Sequence, residues 1–190
     1  LAQHGNLVLL RSGDPQGPSE WCVLGADGRQ AYRSCERCGT HQRLEWTRFR
    51  RDPIDGPTED LRLVHTPGAM TIESLARTLG VERARTLKAL FLATSRQELV
   101  FAVVRGDLEV SLEKVTHLVG RGELRPAEES EIIAAGAVPG FASPIGLHVR
   151  REGESQGVIV ALDDSVYTGR SFVAGGNRRD YHYLGVDPVR

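Results

Sequence analysis

The rhythm of apolar positions along the chain changes near residue 63. Before it, short apolar runs such as Leu7-Val8-Leu9-Leu10 and Trp21-Cys22-Val23-Leu24 stand between Gly, Pro and Arg, the pattern of small strands or hairpins. Arg48 to Asp60, with Asp52-Pro53 and Gly56-Pro57, reads as a linker. After Thr66-Pro67-Gly68-Ala69-Met70, an opening turn, Ile72, Leu75, Ala76 and Leu79 recur at helical spacing, with Thr71 as N-cap and Gly80 as stop. Leu87 to Ala93 and Leu99 to Val104 are apolar runs parted by the polar Ser95 to Glu98, which predicts a hairpin. Ser111 to Val119 sets Leu112, Val115, Leu118 and Val119 on one helical face, and Glu128 to Ala135 predicts a further short helix ended by Gly136. Val138 to Pro144 is too punctuated by Pro and Gly to be anything but a shaped loop. Strands are expected at Leu147 to Val149, Val158 to Leu162 and Tyr181 to Val186. The expected fold is mixed α/β, a largely antiparallel mixed sheet with packed helices at about 61–190, preceded by a small irregular β-rich segment at 1–60.

Composition narrows the classes. At 190 residues and 40% hydrophobic content, the chain supports one substantial core plus an appendage. No run approaches the roughly 18 apolar residues of a membrane span, and no basic segment followed by an apolar one opens the chain, so no membrane partner or export is expected. Cys22, Cys35 and Cys38 form an odd, sparse set that fits a reducing cytoplasm better than a disulfide framework. A net charge of -1 excludes nucleic-acid binding by global basicity, so any RNA contact must be local. Among 24 basic residues only Lys88 and Lys114 are lysines, and an ammonium differs from a guanidinium in being a compact point charge. A first residue of Leu rather than Met implies a trimmed chain or part of a longer one.

Four places carry candidate chemistry. Lys88 lies inside an apolar strand, where a cation needs a partner or an opening to solvent; a phosphate is one suitable partner, a snorkelling edge lysine the plainer reading. The loop Gly140, Phe141, Ala142, Ser143, Pro144 can fix backbone N–H and C=O groups in a concave array that orients an ester carbonyl and a water, or it is a plain tight connection. Near the C-terminus stand Asp163-Asp164 at a strand end, Gly175-Gly176-Asn177 and His182 between two tyrosines. Acidic strand ends and a neutral-range histidine are common in sites, and equally a turn, a bend and a structural histidine. Cys35 and Cys38 have half the spacing of a zinc knuckle that Cys22 and His41 could complete; the default is reduced structural cysteines with no metal and no cofactor.

Val64-His65-Thr66-Pro67-Gly68, Thr86-Leu87-Lys88-Ala89-Leu90, Val104-Arg105-Gly106-Asp107, Gly140-x-x-x-Pro144 and Phe172-Val173-Ala174-Gly175-Gly176-Asn177, in this order, resemble the insertion domain of bacterial prolyl-tRNA synthetases and its free-standing YbaK-like relatives. The likeness covers about residues 63–187. It implies an aminoacyl-tRNA deacylase without a cofactor, which hydrolyses the ester of a mischarged amino acid on the tRNA 3′ end, alanine on the proline tRNA being the usual target. By the same resemblance Lys88 stands near the phosphate of the terminal adenosine, Gly140 to Pro144 form the substrate loop, Asp163 and His182 belong to the amino-acid pocket, and Lys114 matches a family lysine.

The chain departs from that pattern at Gly176, where the family often has Ala, and in the polar excursion Arg150 to Gly157. Residues about 18–39 resemble the synthetase segment that precedes the insertion, which implies a piece of a synthetase. The expectation is therefore catalytic Lys88, Gly140, Asp163 and His182, with Phe141, Ala142, Ser143, Pro144, Gly175 and Asn177 holding substrate. The alternatives are a non-catalytic module that binds a tRNA end or attends prolyl-tRNA synthetase, and a zinc-stabilised interaction module at residues 1–45.

Overall fold

The alternation before residue 50 forms short hairpins: β1 (Leu7–Arg11) pairs antiparallel with β2 (Ser19–Val23), and β3 (Tyr32–Ser34) with β4 (His41–Arg43). The computed structural model describes residues 7–11, 19–23, 32–34, 37, 41–43, 52–54, 56, 58–120 and 122–188. These divide into two compact units, 1–50 and 51–190.

In the second unit, β5 (Arg62–His65) leads into α1 (Ile72–Leu79). Thr71 caps that helix, its hydroxyl accepting from Ser74 N at 3.1 Å while Ser74 Oγ accepts from Thr71 N at 3.0 Å. Such a reciprocal cap is worth about 1 kcal/mol. A 3₁₀ turn at Arg83–Arg85 then delivers the chain to β6 (Leu87–Thr94), which turns through residues 95–98 into β7 (Leu99–Arg105). The two strands pair antiparallel, Leu87 opposite Arg105 and Leu92 opposite Val100. Thr94 Oγ1 accepts from both Arg96 N and Glu98 N at 3.2 Å, which fixes the turn where the polar break lies.

Both faces of this hairpin are covered along β7 and from Phe91 to Thr94 of β6, which is why these stretches read as nearly continuous apolar runs, while Ala89 and Leu90 are exposed. Phe91, Phe101 and Val103 pack with Ala137, Val158 and Val166 on one face, the two phenyl rings 4.6 Å apart. Leu92, Val100 and Ala102 pack on the other face against Val115 of α2 (Leu112–Val119), which Ser111 caps. Each fully buried Leu, Val or Phe contributes about 1.5–3 kcal/mol. β8 (Leu124–Pro126) flanks β6 antiparallel, α3 (Glu129–Ala134) follows, and β9 (Ile159–Leu162) runs parallel to β7, giving the mixed order β8-β6-β7-β9. The strand expected at Leu147 to Val149 is reduced to one bridge, Val149 to Val158, because Gly146 turns the chain just before it and the polar excursion starts just after.

After a 3₁₀ turn at Asp164–Thr168, β10 (Phe172–Gly175) and β11 (Tyr181–Val186) form a second sheet with β5, in the order β10-β11-β5. The apolar cluster Ala69, Leu75, Val173 and Leu184 fastens α1 to it. Thr86 bridges Val173 and so joins the two sheets. Sequence patterning missed β5, β8 and β10, each too short at 3–4 residues to show a period.

The presumed linker is bound to this unit. Ile54 N donates to Thr168 O at 2.8 Å, Glu59 N to Ser171 Oγ at 2.7 Å, and Arg105 Nη1 to Asp52 O at 3.2 Å. Arg105, only 8% exposed, forks onto Asp107 at 2.7 and 2.8 Å and also reaches Thr168 Oγ1, so the Arg-Gly-Asp block is a structural knot. Gly106 is needed there because a Cβ would stand 1.9 Å from Thr86 Oγ1 and 2.8 Å from Arg83 O.

Candidate functional site

The Pro- and Gly-punctuated loop is held by a side chain 34 residues away. Asn177 Oδ1 accepts from Ser143 N at 2.9 Å, and its Nδ2 donates to Ser143 O at 2.8 Å and to Ile145 O at 2.7 Å. Only this orientation of the amide matches donors to acceptors; the flipped one would set N–H against N–H. Asn177 N also donates to Phe141 O at 2.8 Å, so four bonds fix the main chain of 141–145. Asn177 itself sits at φ +49°, a conformation that Asn tolerates better than most residues.

Close approach of the loop to β10 requires glycine at 175, where a Cβ would lie 2.2 Å from Ala142 O and 2.4 Å from Phe141 O. At the start of the loop Gly140 is exposed and turns at φ +79°. Phe141 is buried at 3% exposure and meets the His182 ring edge-on at 5.7 Å. His182, 5% exposed on β11, has its Nδ1 2.6 Å from Thr66 Oγ1, itself fully buried. Burial holds the imidazole's pKa below the ordinary histidine range, with the Asp180 carboxylate pulling the other way, so the ring is neutral at pH 7. Thr66 Oγ1 also reaches Asp180 O at 3.4 Å.

Beside the loop lies a cavity of about 490 Å³, lined from the loop by Ala142, Pro144 and Ile145 and from the sheets by Ala89, Val103 and Ala174 among others. Its lining is mainly small or branched apolar side chains, the composition of a small-molecule site with few polar groups.

Gly140, Phe141, Ala142, Ser143, Pro144, Gly175, Asn177 and His182 are thus one assembly. Lys88 and Asp163 lie apart from it. Alternation along β6 turns Leu87 and Ala89 to the cavity and Lys88 to the opposite face with Leu92. There the Lys88 ammonium pairs with Glu109 Oε1, whose side chain is 81% exposed against 28% for the lysine. Asp163 is exposed at the end of β9, where its carboxylate caps the following 3₁₀ turn by accepting from Ser165 N at 2.9 Å. Lys114 is on α2. Cys35 and Cys38, and the side chains of Cys22 on β2 and His41 on β4, lie outside the described residues, and so does the zinc question. Among the described residues no cluster of His, Cys, Asp or Glu is placed to hold a metal ion.

Sequence reading gave no role to Thr66, although it stands in the His-Thr-Pro-Gly block; its hydroxyl is the partner that a buried histidine requires. The tether of Asn177 to Ile145 was equally out of reach, since no local pattern marks a contact across 32 residues.

The aminoacyl-tRNA editing domain pattern matches residues 66–188, a span that contains the loop, the clamp and the buried histidine. This chain belongs to the aminoacyl-tRNA editing domain family. It is 38% identical over 180 residues to a proline–tRNA ligase of Salinispora tropica, a match that takes in 90% of this chain and 29% of the ligase. To a proline–tRNA ligase of Dehalococcoides mccartyi it is 35% identical over 169 residues, covering 88% of this chain and 28% of the ligase. The chain thus spans under a third of the length of these relatives. A crystal structure described as a candidate trans-editing enzyme for prolyl tRNA synthetase shares the fold, with a TM-score of 0.55 and 24% identity over 65% of this chain and 74% of that one. The editing domain is mixed α/β, as its patterning implied, and is similar in sequence to part of proline–tRNA ligases.

Proposed function

We propose that this editing domain is a deacylase that hydrolyses the ester between a mischarged amino acid and the 3′ end of tRNA, with alanine on the proline tRNA as first substrate. The observation that carries the reading is the Asn177 clamp: it presents a rigid main-chain loop at the rim of an apolar cavity, in a chain of the editing family. Rigid backbone dipoles stabilise charge developing on an ester oxygen without reorganising during the reaction. Water adds to the acyl carbon, the carbon–oxygen bond to the ribose breaks, and the ribose oxygen takes up a proton.

In this reading the loop main chain orients carbonyl and water, and neutral His182, braced by Thr66, keeps Phe141 and the loop in place. The substrate's neighbouring ribose hydroxyl assists the proton transfer. Although Lys88 faces away from the cavity, the part proposed for it, from the family resemblance, is to hold the phosphate of the terminal nucleotide, exchanging the exposed Glu109 carboxylate for it. Asp163 contributes by setting the turn that carries Ser165 and Val166, the latter at the cavity wall. The cavity exceeds the volume of one alanine side chain and has room for part of the ribose as well, with Phe101, Val103 and Leu162 among its walls. Each methylene that must be refused is worth about 1–3 kcal/mol.

The test is turnover of Ala-, Cys- and Pro-tRNA for the proline acceptor by the purified chain. Hydrolysis of a mischarged species with Pro-tRNA spared supports the proposal. Binding of all three without turnover leaves a non-catalytic module that holds the tRNA end.

A further inference from the structure

One face of the three-stranded sheet carries planar side chains that the proposed hydrolysis does not use. The β11–β5 register sets Tyr181 opposite His65 and Tyr183 opposite Leu63, and alternation places all four on the face opposite His182. The rings of Tyr181 and His65 lie 4.9 Å apart, and the Arg178 guanidinium sits 4.1 Å over the Tyr181 ring. His65, Arg178 and Arg179 are exposed, and Leu63 is 41% exposed. The opposite face is the one fastened to α1 through Val64, Val173 and Leu184.

Rings and a guanidinium plane on an open sheet face, with a second arginine alongside, have the chemistry of single-stranded RNA recognition: planes stack on unpaired bases and cations meet phosphates. Charge favours that occupant on balance, since Arg178 and Arg179 are adjacent exposed cations beside the single Asp180 carboxylate, which accepts from Gly68 N at 3.1 Å. The face also continues into the cavity. Ala174, which lines the cavity, pairs with Tyr183, which pairs with Leu63, so the three form one row across the sheet; Tyr181 and His65 form the next row.

We infer that the Tyr181–His65–Arg178 face is a stacking platform for the unpaired nucleotides at the 3′ end of an RNA. The inference rests on the reading that the cavity takes the terminal aminoacyl ester: a base stacked on the Tyr181 row leaves its 3′ neighbours to run over Tyr183 toward Ala174. Stacking makes binding depend on bases as well as charge.

The experiment is fluorescence anisotropy with a labelled ACCA tetranucleotide and its abasic counterpart, using the whole chain, the His65→Ala/Arg178→Ala double variant and Arg178→Lys. These side chains are exposed, so folding is preserved, and circular dichroism checks it. The intact RNA is expected to bind at least tenfold tighter than the abasic one, and the double variant about tenfold weaker than wild type. Arg178→Lys, which keeps the charge and loses the plane, is expected to weaken binding as well. Equal affinity for the two RNAs, or wild-type affinity in the double variant, would overturn the platform. Turnover assayed in parallel separates the two readings: base-dependent binding without turnover supports the platform and removes the deacylase, and turnover with base-independent binding does the reverse.

Discussion

Removing the Asn177 amide tests whether the loop is held from outside or by its own prolines. The side chain makes three hydrogen bonds, of 2.9, 2.8 and 2.7 Å, to Ser143 N, Ser143 O and Ile145 O. At about 1 kcal/mol net for each bond, their loss costs about 2–3 kcal/mol, less where water can enter to replace them. Two substitutions separate this term from the backbone. Asn177→Gly deletes the bonds and accepts φ +49° freely, whereas Asn177→Ala deletes the same bonds and keeps a Cβ in the left-handed region, so it should be about 1–2 kcal/mol less stable than the Gly variant. Urea unfolding of the wild type and both variants gives the differences directly. Thermal midpoints should fall in step, by about 2–4 °C for each kcal/mol in a chain of this size. Deacylation should fall in both variants, because the loop main chain is no longer fixed. An Asn177→Gly variant that loses less than about 0.5 kcal/mol and retains full turnover would refute the clamp.

Three further outcomes follow from the same geometry. Gly175→Ala places a methyl group 2.2 Å from Ala142 O and 2.4 Å from Phe141 O, so either the loop or β10 must move; a loss of about 2–4 kcal/mol with abolished deacylation is expected, measured by urea unfolding and turnover. His182 is buried with its pKa below the ordinary 6.5, so the unfolded chain takes up the proton first; stability should be steady above that value and fall as pH drops through it toward the folded pKa, and His182→Gln should flatten that part of the stability–pH profile. Lys88→Ala should change stability by no more than about 0.5–1 kcal/mol, because its partner Glu109 is 81% exposed, yet should reduce turnover severely; full activity would remove Lys88 from the mechanism.

What the sequence made legible follows physical range. The β6–β7 hairpin, the helices at Ile72 and Leu112 and the strand at Tyr181 carry their period or their caps locally, so patterning located them. The short strands β5, β8 and β10 owe their existence to partners far along the chain, and Leu147 to Val149, apolar enough for a strand, lacks a neighbour to run beside beyond Val158. The Pro-rich segment before residue 60 has linker composition, but the buried Arg105 and the Ser171 hydroxyl supply hydrogen-bond partners that composition does not reveal. Within the site, dispersed family blocks named the loop, the glycine, the asparagine and the histidine that the fold brings together. They did not reveal which face of β6 the Lys88 side chain takes relative to the cavity, or that Asp163 caps a turn, because both depend on the register between β6, β7 and β9.

The most direct measurement is the single-turnover hydrolysis of Ala-tRNA for the proline acceptor by the purified chain, beside Cys-tRNA and Pro-tRNA and with the Asn177→Gly and Lys88→Ala variants. The expected result is rapid release of alanine, with proline spared and the rate lost in both variants. Stable ester in all three species, with the tRNA nonetheless bound, would contradict the deacylase proposal and leave an editing-family domain that binds the tRNA end without cutting it.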